Sequence, residues 1–319
     1  MKILALGGTR FLGSFIVDEL LGRGHDVGVL CMDCDSFARP VVRFGGDVPE
    51  AEALRQAIAS WRPDAVLDMA HTSPAHAESV VAECAGKVKR SVHLSSAEVY
   101  GAAPICPIDE ATEVAARATP EVALQIEADR VALDAAESEK LAAVVVRLPE
   151  IYGPRDPRCA AWFFAKRILD GRTRVAVPDG GLNICHRGFV QNMAWGVAQA
   201  LCSARVSGVY NLGEERLYTV AQLARGVANA LDYTWDIYSV PGHLWTTPYA
   251  RTSFFDLRRA RAQLRYRDRM IPRDGLELTL AWLCQNPLGD GWNWPGIERP
   301  FDYEHEDAVI EQHGVKLEG

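Results

Sequence analysis

Along the first 150 residues, short apolar runs alternate with stretches in which apolar positions recur every three or four residues. The runs predict strands over 2–6, 26–31, 41–44, 65–69, 91–95 and 142–147. The intervening stretches predict helices over 11–21, 49–60, 74–85 and 120–138. Gly22 or Gly24 closes the first helix, since glycine accepts the left-handed conformation of a helix C-cap, and Pro74 opens the third. The run over 65–69 is apolar on both faces, as in the buried strands of parallel sheets. Further on come helices over 160–169, 192–203, 220–231 and 274–284, with a strand over 209–212 returning to the sheet. Strands alternating with helices predict an α/β fold, a doubly wound parallel sheet with a smaller, mixed C-terminal lobe. The expected domains are 1–150 plus about 185–215, and a substrate-binding lobe with the C-terminal tail over about 151–184 and 216–319.

The length of 319 residues suits two such lobes at about 150 residues per domain. With 34 basic against 42 acidic residues the net charge is −8, a field that repels polyanions and disfavours nucleic acid as a partner. No apolar run approaches the roughly 18 residues of a membrane span, and no charged lead-in precedes a cleavable apolar stretch, so a cytoplasmic location is expected. Eight cysteines are too dilute for a disulfide scaffold, and Cys84, Cys202 and Cys284 read as reduced, small hydrophobes. Cys31 and Cys34 have C-x-x-C spacing without a second pair, so no metal site is expected. The Arg-rich stretch over 251–273 reads as a solvated face with Leu257 and Leu264 turned inward. The acidic segment over 303–307 reads as solvent-facing, and the tail aromatics Trp292, Trp294 and Phe301 as packed over the body.

The first strand runs into Gly7, Gly8, Thr9, Arg10, Phe11, Leu12 and Gly13, and the next helix starts there. Glycines between a strand and a helix let the chain turn sharply and bring backbone N–H groups and the helix N-terminus against a pyrophosphate. Arg10 stands where the middle glycine of G-x-x-G-x-x-G would be. Two readings stay open for it: a surface arginine at a relaxed turn, or a guanidinium over the pyrophosphate or an adenosine 2′-phosphate.

Four further landmarks join this loop: Gly46-Asp47-Val48, Asp68-Met69-Ala70-His71, the segment 94–101 (LSSAEVYG), and the pair of segments 147–154 (RLPEIYGP) and 186–194 (HRGFVQNMA). With them the chain resembles the extended short-chain dehydrogenase/reductase family of NAD-dependent epimerases and dehydratases. It is most similar to an atypical branch that includes chloroplast stem-loop RNA-binding proteins. The resemblance implies a Rossmann sheet, NAD or NADP as cofactor, a small-molecule substrate such as a sugar nucleotide, and a homodimer through the helices near 74–85 and 120–138. It implies cofactor contacts from Gly7 to Gly13, from Asp47 and Val48 at the adenine, from Ala70 behind the nicotinamide ribose, and from Gln125. The acid that NAD-preferring members place at the end of the second strand is replaced by Cys31, with Asp33 two residues later, so the choice between NAD and NADP stays open.

The family's catalytic Tyr and Lys, four residues apart, are missing. A phenol with a pKa of about 10 needs a neighbouring ammonium to serve as a base at neutral pH. Between Tyr100 and Tyr152 there is no tyrosine, and the only lysine is Lys140, too late in its helix. Alignment on Thr119-Pro120 and Arg147 puts Glu121 at the place of Tyr and Gln125 at that of Lys. Glu121 reads either as a carboxylate base or as a first-turn acid favoured by the helix dipole. Ser96 aligns with the catalytic Ser or Thr, and Glu98 with an acid that takes part in water elimination in dehydratases. Ser96, Glu98 and Tyr100 share one face if the strand continues that far. His71 and His186 are further candidates. The expectation is an epimerase/dehydratase-like enzyme with noncanonical acid/base chemistry, not an ordinary ketone reductase. A cofactor-binding regulatory protein without chemistry, and a stem-loop RNA-binding relative, are the alternatives.

Overall fold

The computed structural model describes residues 1–32, 37–46, 51–70, 73–102, 105–203 and 206–318. Asp33, Asp47, Val48 and His71 lie outside the described residues. The first elements are β1 (Lys2–Leu6), α1 (Phe11–Gly22), β2 (Asp26–Cys31), β3 (Val42–Gly45), α2 (Ala51–Trp61), β4 (Ala65–Asp68) and α3 (Pro74–Cys84). They continue with β5 (Arg90–Ser96), α4 (Pro120–Glu137), β6 (Ala143–Leu148), β7 (Glu150–Tyr152), α5 (Trp162–Leu169), β8 (Arg174–Pro178), β9 (Ile184–Cys185) and β10 (Arg187–Phe189). The chain closes with α6 (Val190–Cys202), β11 (Gly208–Asn211), β12 (Tyr218–Thr219), α7 (Val220–Ala230), β13 (Asp236–Val240), α8 (Pro272–Gln285), α9 (Tyr303–His313) and β14 (Val315–Lys316).

Two units emerge: Met1–Glu150 with Val190–Gly213 and Phe255–Asp268, and Ile151–Phe189 with Glu214–Phe254 and Arg269–Gly319. The first is a parallel sheet in the order β11-β6-β5-β4-β1-β2-β3. Its winding reverses between β1 and β4, and at such a switch point the carboxyl ends of the two strands open a crevice. Local chemistry starts the flanking helices. Ser73 accepts a hydrogen bond from the His76 N–H ahead of α3, Thr119 one from Val122 ahead of α4, and proline occupies the first turn of both. Phe255–Asp268, which the sequence left with the second lobe, is held to the first unit by a backbone bridge from Phe255 to Ile108. Within it Leu257 and Leu264 are buried, as the sequence predicts, and Arg258, Arg261 and Arg265 are exposed.

The second unit carries the mixed sheet β14-β13-β8, parallel between β13 and β8 and antiparallel between β13 and β14. Its core contains a fully buried Arg167–Glu306 ion pair, 3.1 Å across, with the guanidinium against the faces of Phe163 and Phe301. Glu306 also accepts the Ala176 N–H, so both partners are satisfied. The expectation of a solvent-facing segment over 303–307 is therefore corrected: α9 turns Glu306 inward and pairs Asp307 with Arg172 and Arg174. The tail packs on this unit through Trp292, whose indole N–H donates to the Arg158 carbonyl. Cys84 is buried and pushed up to about 12 by burial, an inert thiol. Cys284 is exposed rather than packed, and Cys31 is disulfide-bonded.

Asp156 in the second unit is buried, and burial pushes its carboxyl from 3.8 up to about 6. The folded chain thus binds this proton more tightly than the unfolded chain, and stability falls as pH rises from about 4 through about 6. At about 1.4 kcal/mol per pH unit the ionised group costs about 3 kcal/mol above that window. Asp156→Asn keeps an acceptor for the Arg158 N–H. It should raise the denaturant midpoint at pH 8 and leave it unchanged at pH 4; a lower midpoint at pH 8 would show that the carboxylate has a compensating partner.

Candidate active site and nucleotide loop

At the end of β1 the Gly7 N–H donates to the Leu30 carbonyl at 2.9 Å, and Gly7 and Gly8 turn with φ of +79° and +89°. A Cβ on Gly13 would lie 2.2 Å from the Gly8 Cα, so the first turn of α1 rests directly on the loop backbone. Arg10 is the N-cap of α1, and its side chain accepts no N–H of that turn, which also carries no acid. The N-terminal amides are left to solvent or to an anion. Arg10 itself is exposed and makes no side-chain hydrogen bond or ion pair among the described residues. Thr9, Phe11 and Leu12 are half-buried around the same turn.

Across the switch point, the Met69 N–H donates to the Leu6 carbonyl and the Ala70 N–H to the buried Asp68 carboxylate. The Met69 thioether methyl lies 2.1 Å from where a Cβ on Gly8 would be; this flexible end could swing aside, and it is the φ of +89° that favours glycine here.

A cavity of about 330 Å³ lies beyond β5, lined by Ser96, Glu98, Val99, Glu121, Val122, Leu124 and Gln125. Three of the four residues singled out for catalysis, and Gln125, meet here. Tyr100 does not. The strand ends at Ser96, whose hydroxyl accepts the Glu98 N–H and starts a 3₁₀ turn over Ala97–Tyr100. The condition for a shared face of Ser96, Glu98 and Tyr100 is therefore not met, because the two-residue period ends with the strand. Tyr100 is instead buried and donates to Asn211 Oδ1 at 2.8 Å, and burial raises its phenol above the usual value.

Behind the cavity, Gln125 Nε2 donates to Asp129 Oδ1 at 3.3 Å, and Asp129 also accepts from Ser95 and from Arg147 at 3.1 Å. The Gln125 amide is thus turned with its carbonyl oxygen, an acceptor, free for the cavity. The buried Arg147 guanidinium is paired with Asp129 and lies over the Tyr100 ring. Asp129 escaped the sequence reading; the signal was its position four residues after Gln125 and eight after Glu121, on one face of α4. Glu121 is exposed and held below its ordinary value by its own backbone N–H and the Thr119 hydroxyl. His186, in the second unit, is buried and pushed down to about 3, so it is neutral at physiological pH.

A seven-stranded, doubly wound sheet with a glycine turn and a cavity at the carboxyl end of a central strand defines a class of dinucleotide-type α/β proteins. The NAD dependent epimerase/dehydratase family model matches residues 3–213, and the chain belongs to that family. It is an epimerase/dehydratase-like member. The dTDP-glucose 4,6-dehydratase of Streptomyces niveus is 26% identical over 94% of this chain and 96% of its own length. The chloroplast stem-loop binding protein of 41 kDa b from Arabidopsis thaliana is 25% identical over 72% of this chain, which spans 63% of that protein. Among solved structures, the Bacillus anthracis dTDP-glucose 4,6-dehydratase in complex with NAD superposes with a TM-score of 0.75 at 20% identity, covering 92% and 98% of the two chains. No helix of the described residues is long and apolar enough to cross a membrane.

Proposed function

We propose that the protein is an NAD- or NADP-binding enzyme that epimerises or dehydrates a nucleoside-diphosphate sugar or a related small polar metabolite, with carboxylate acid/base chemistry in place of the Tyr and Lys pair. The observation that carries this reading is the cavity that unites Ser96, Glu98, Glu121 and Gln125. The turn of Gly7, Gly8 and Gly13 suits a pyrophosphate, because the missing Cβ of Gly13 lets the Gly8 backbone rest on the first turn of α1, where the helix amides are open to an anion. Thr9, Arg10, Phe11 and Leu12 would close over the phosphates, and Ala70 and Gln125 would meet the nicotinamide ribose. Asp47 and Val48 are kept as adenine contacts from the family resemblance alone. A bound nicotinamide would supply reversible hydride acceptance.

On the substrate side, Ser96 would donate to a hydroxyl or carbonyl oxygen and Gln125 Oε1 would accept a hydroxyl. Glu98 would remove or return the proton at carbon or oxygen. The second unit is assigned to substrate binding, and α3 and α4 to a homodimer, on the resemblance. RNA binding is the second reading: the stem-loop relative favours it and the net charge of −8 opposes it.

With NAD or NADP present, the protein should convert at least one dTDP- or UDP-hexose to an epimer or a dehydrated product, read by NMR and mass spectrometry. Simple ketones should be reduced no faster than background. Robust ketone reduction would overturn the noncanonical mechanism, and salt-sensitive RNA retention without any conversion would favour the second reading.

A further inference from the structure

Under the loop runs a row of buried polar side chains that the proposed chemistry does not use. Ser91 Oγ lies 2.8 Å from His93 Nε2, His93 Nδ1 lies 3.2 Å from Asp68 Oδ2, and Asp68 Oδ1 lies 2.9 Å from His76 Nε2. Hydroxyl, imidazole and carboxylate follow one another as in a hydrolytic triad. Ser91, His93 and Asp68 are nevertheless 0% exposed, so no substrate reaches the hydroxyl and a nucleophilic role is excluded. An ionised carboxylate only accepts, so each imidazole turns an N–H toward Asp68, and Ser91 donates to the remaining nitrogen of His93.

What the row holds is backbone. Asp68 Oδ1, besides its contact with His76, accepts the Ala70 N–H at 3.1 Å, and the intervening Met69 packs its thioether against Gly8. His76 sits in the first turn of α3, its own N–H on the Ser73 cap, and His93 lies beside Asp68 in the β4–β5 register. Asp68 therefore ties one strand end, the neighbouring strand and the following helix to the segment that walls the glycine loop. The His76 Nδ1 atom is buried with no hydrogen-bond partner among the described residues. That orphan nitrogen is a cost, and what offsets it is the N–H that the ring gives to the fully buried Asp68 carboxylate.

We propose that Asp68 and His76 are positioning residues for the nucleotide loop: the His76–Asp68–His93 row holds Met69 and Ala70 against Gly8 and thereby sets dinucleotide affinity. This rests on the reading of Gly7–Gly13 as a dinucleotide site. The test compares His76→Ala with His76→Gln, whose amide can still donate to Asp68. NAD and NADP affinities are measured by calorimetry, and amide exchange is followed by mass spectrometry in the dinucleotide-free protein. Losing one hydrogen bond to a carboxylate should weaken binding about tenfold in His76→Ala. Exchange at Met69 and Ala70 should quicken while β6 (Ala143–Leu148) keeps its protection. His76→Gln should restore both readouts.

Intact binding in His76→Ala, equal loss of protection in β6, or no rescue by glutamine would overturn the positioning role alone. Absence of dinucleotide binding by the unsubstituted protein would overturn the cofactor reading and this proposal with it.

Discussion

Gly13→Ala should abolish dinucleotide binding measurable at millimolar NAD or NADP and leave the protein folded. The added Cβ would meet the Gly8 Cα at 2.2 Å and its carbonyl carbon and oxygen at 2.7 and 2.8 Å. These are backbone atoms, so no rotamer relieves the clash, and the loop must move off α1. The amides at the helix start then leave the geometry in which they converge on an anion. Each hydrogen bond to a charged group is worth about 1.5–3 kcal/mol, and losing two lowers affinity by a hundredfold or more. Gly7→Ala is the internal comparison. Its Cβ would meet nothing within 4 Å, although φ is +79°, so only backbone strain of about 1–2 kcal/mol opposes it and the loss of affinity should be smaller. Calorimetry on both variants, with thermal melting to verify folding, checks the order. Unchanged affinity in Gly13→Ala would remove the loop from the cofactor site.

The elements that were legible in the sequence are those governed by local rules. β1 and β2 fall at their expected residues because a buried parallel strand is an unbroken apolar run between turn residues. α3 and α4 begin where Ser73-Pro74 and Thr119-Pro120 announce a cap. Long-range and side-chain effects were not legible. Nothing local says that Phe255 bridges to Ile108, or that Glu306 turns inward to meet Arg167 across 139 positions. The end of β5 falls within one residue of its expected place, but whether the strand ran on past it was open, because a serine hydroxyl can either extend along a strand face or cap the next turn, and at Ser96 it caps. The buried row under the loop did leave a trace. Asp68 closes the apolar run Ala65–Leu67, and His93 interrupts Val92 and Leu94, and polar residues at core positions usually have partners.

The two carboxylates of the cavity are separable by experiment. Glu121 stands in the first turn of α4, exposed, and its own N–H and the Thr119 hydroxyl hold its carboxyl below the ordinary range. A carboxylate stabilised in that way is a weaker base and is already ionised at neutral pH, so it has no proton to give as an acid. Glu98 lies in the turn that Ser96 caps, and it reaches the cavity from the strand side beside the one hydroxyl of the lining that can polarise a substrate oxygen. Once a converted sugar nucleotide is in hand, single turnovers of Glu98→Gln should slow by about a hundred to ten thousandfold, the usual worth of general acid/base assistance. Glu121→Gln should stay within about threefold of the unsubstituted protein, because it removes only a helix-terminal charge. Ser96→Ala should fall between them, with the loss of a single hydrogen bond in the transition state. The reverse order for the two glutamate variants would move the proton transfer to α4, to the residue at the place of the missing tyrosine. Full activity in both would show that neither carboxylate carries the proton.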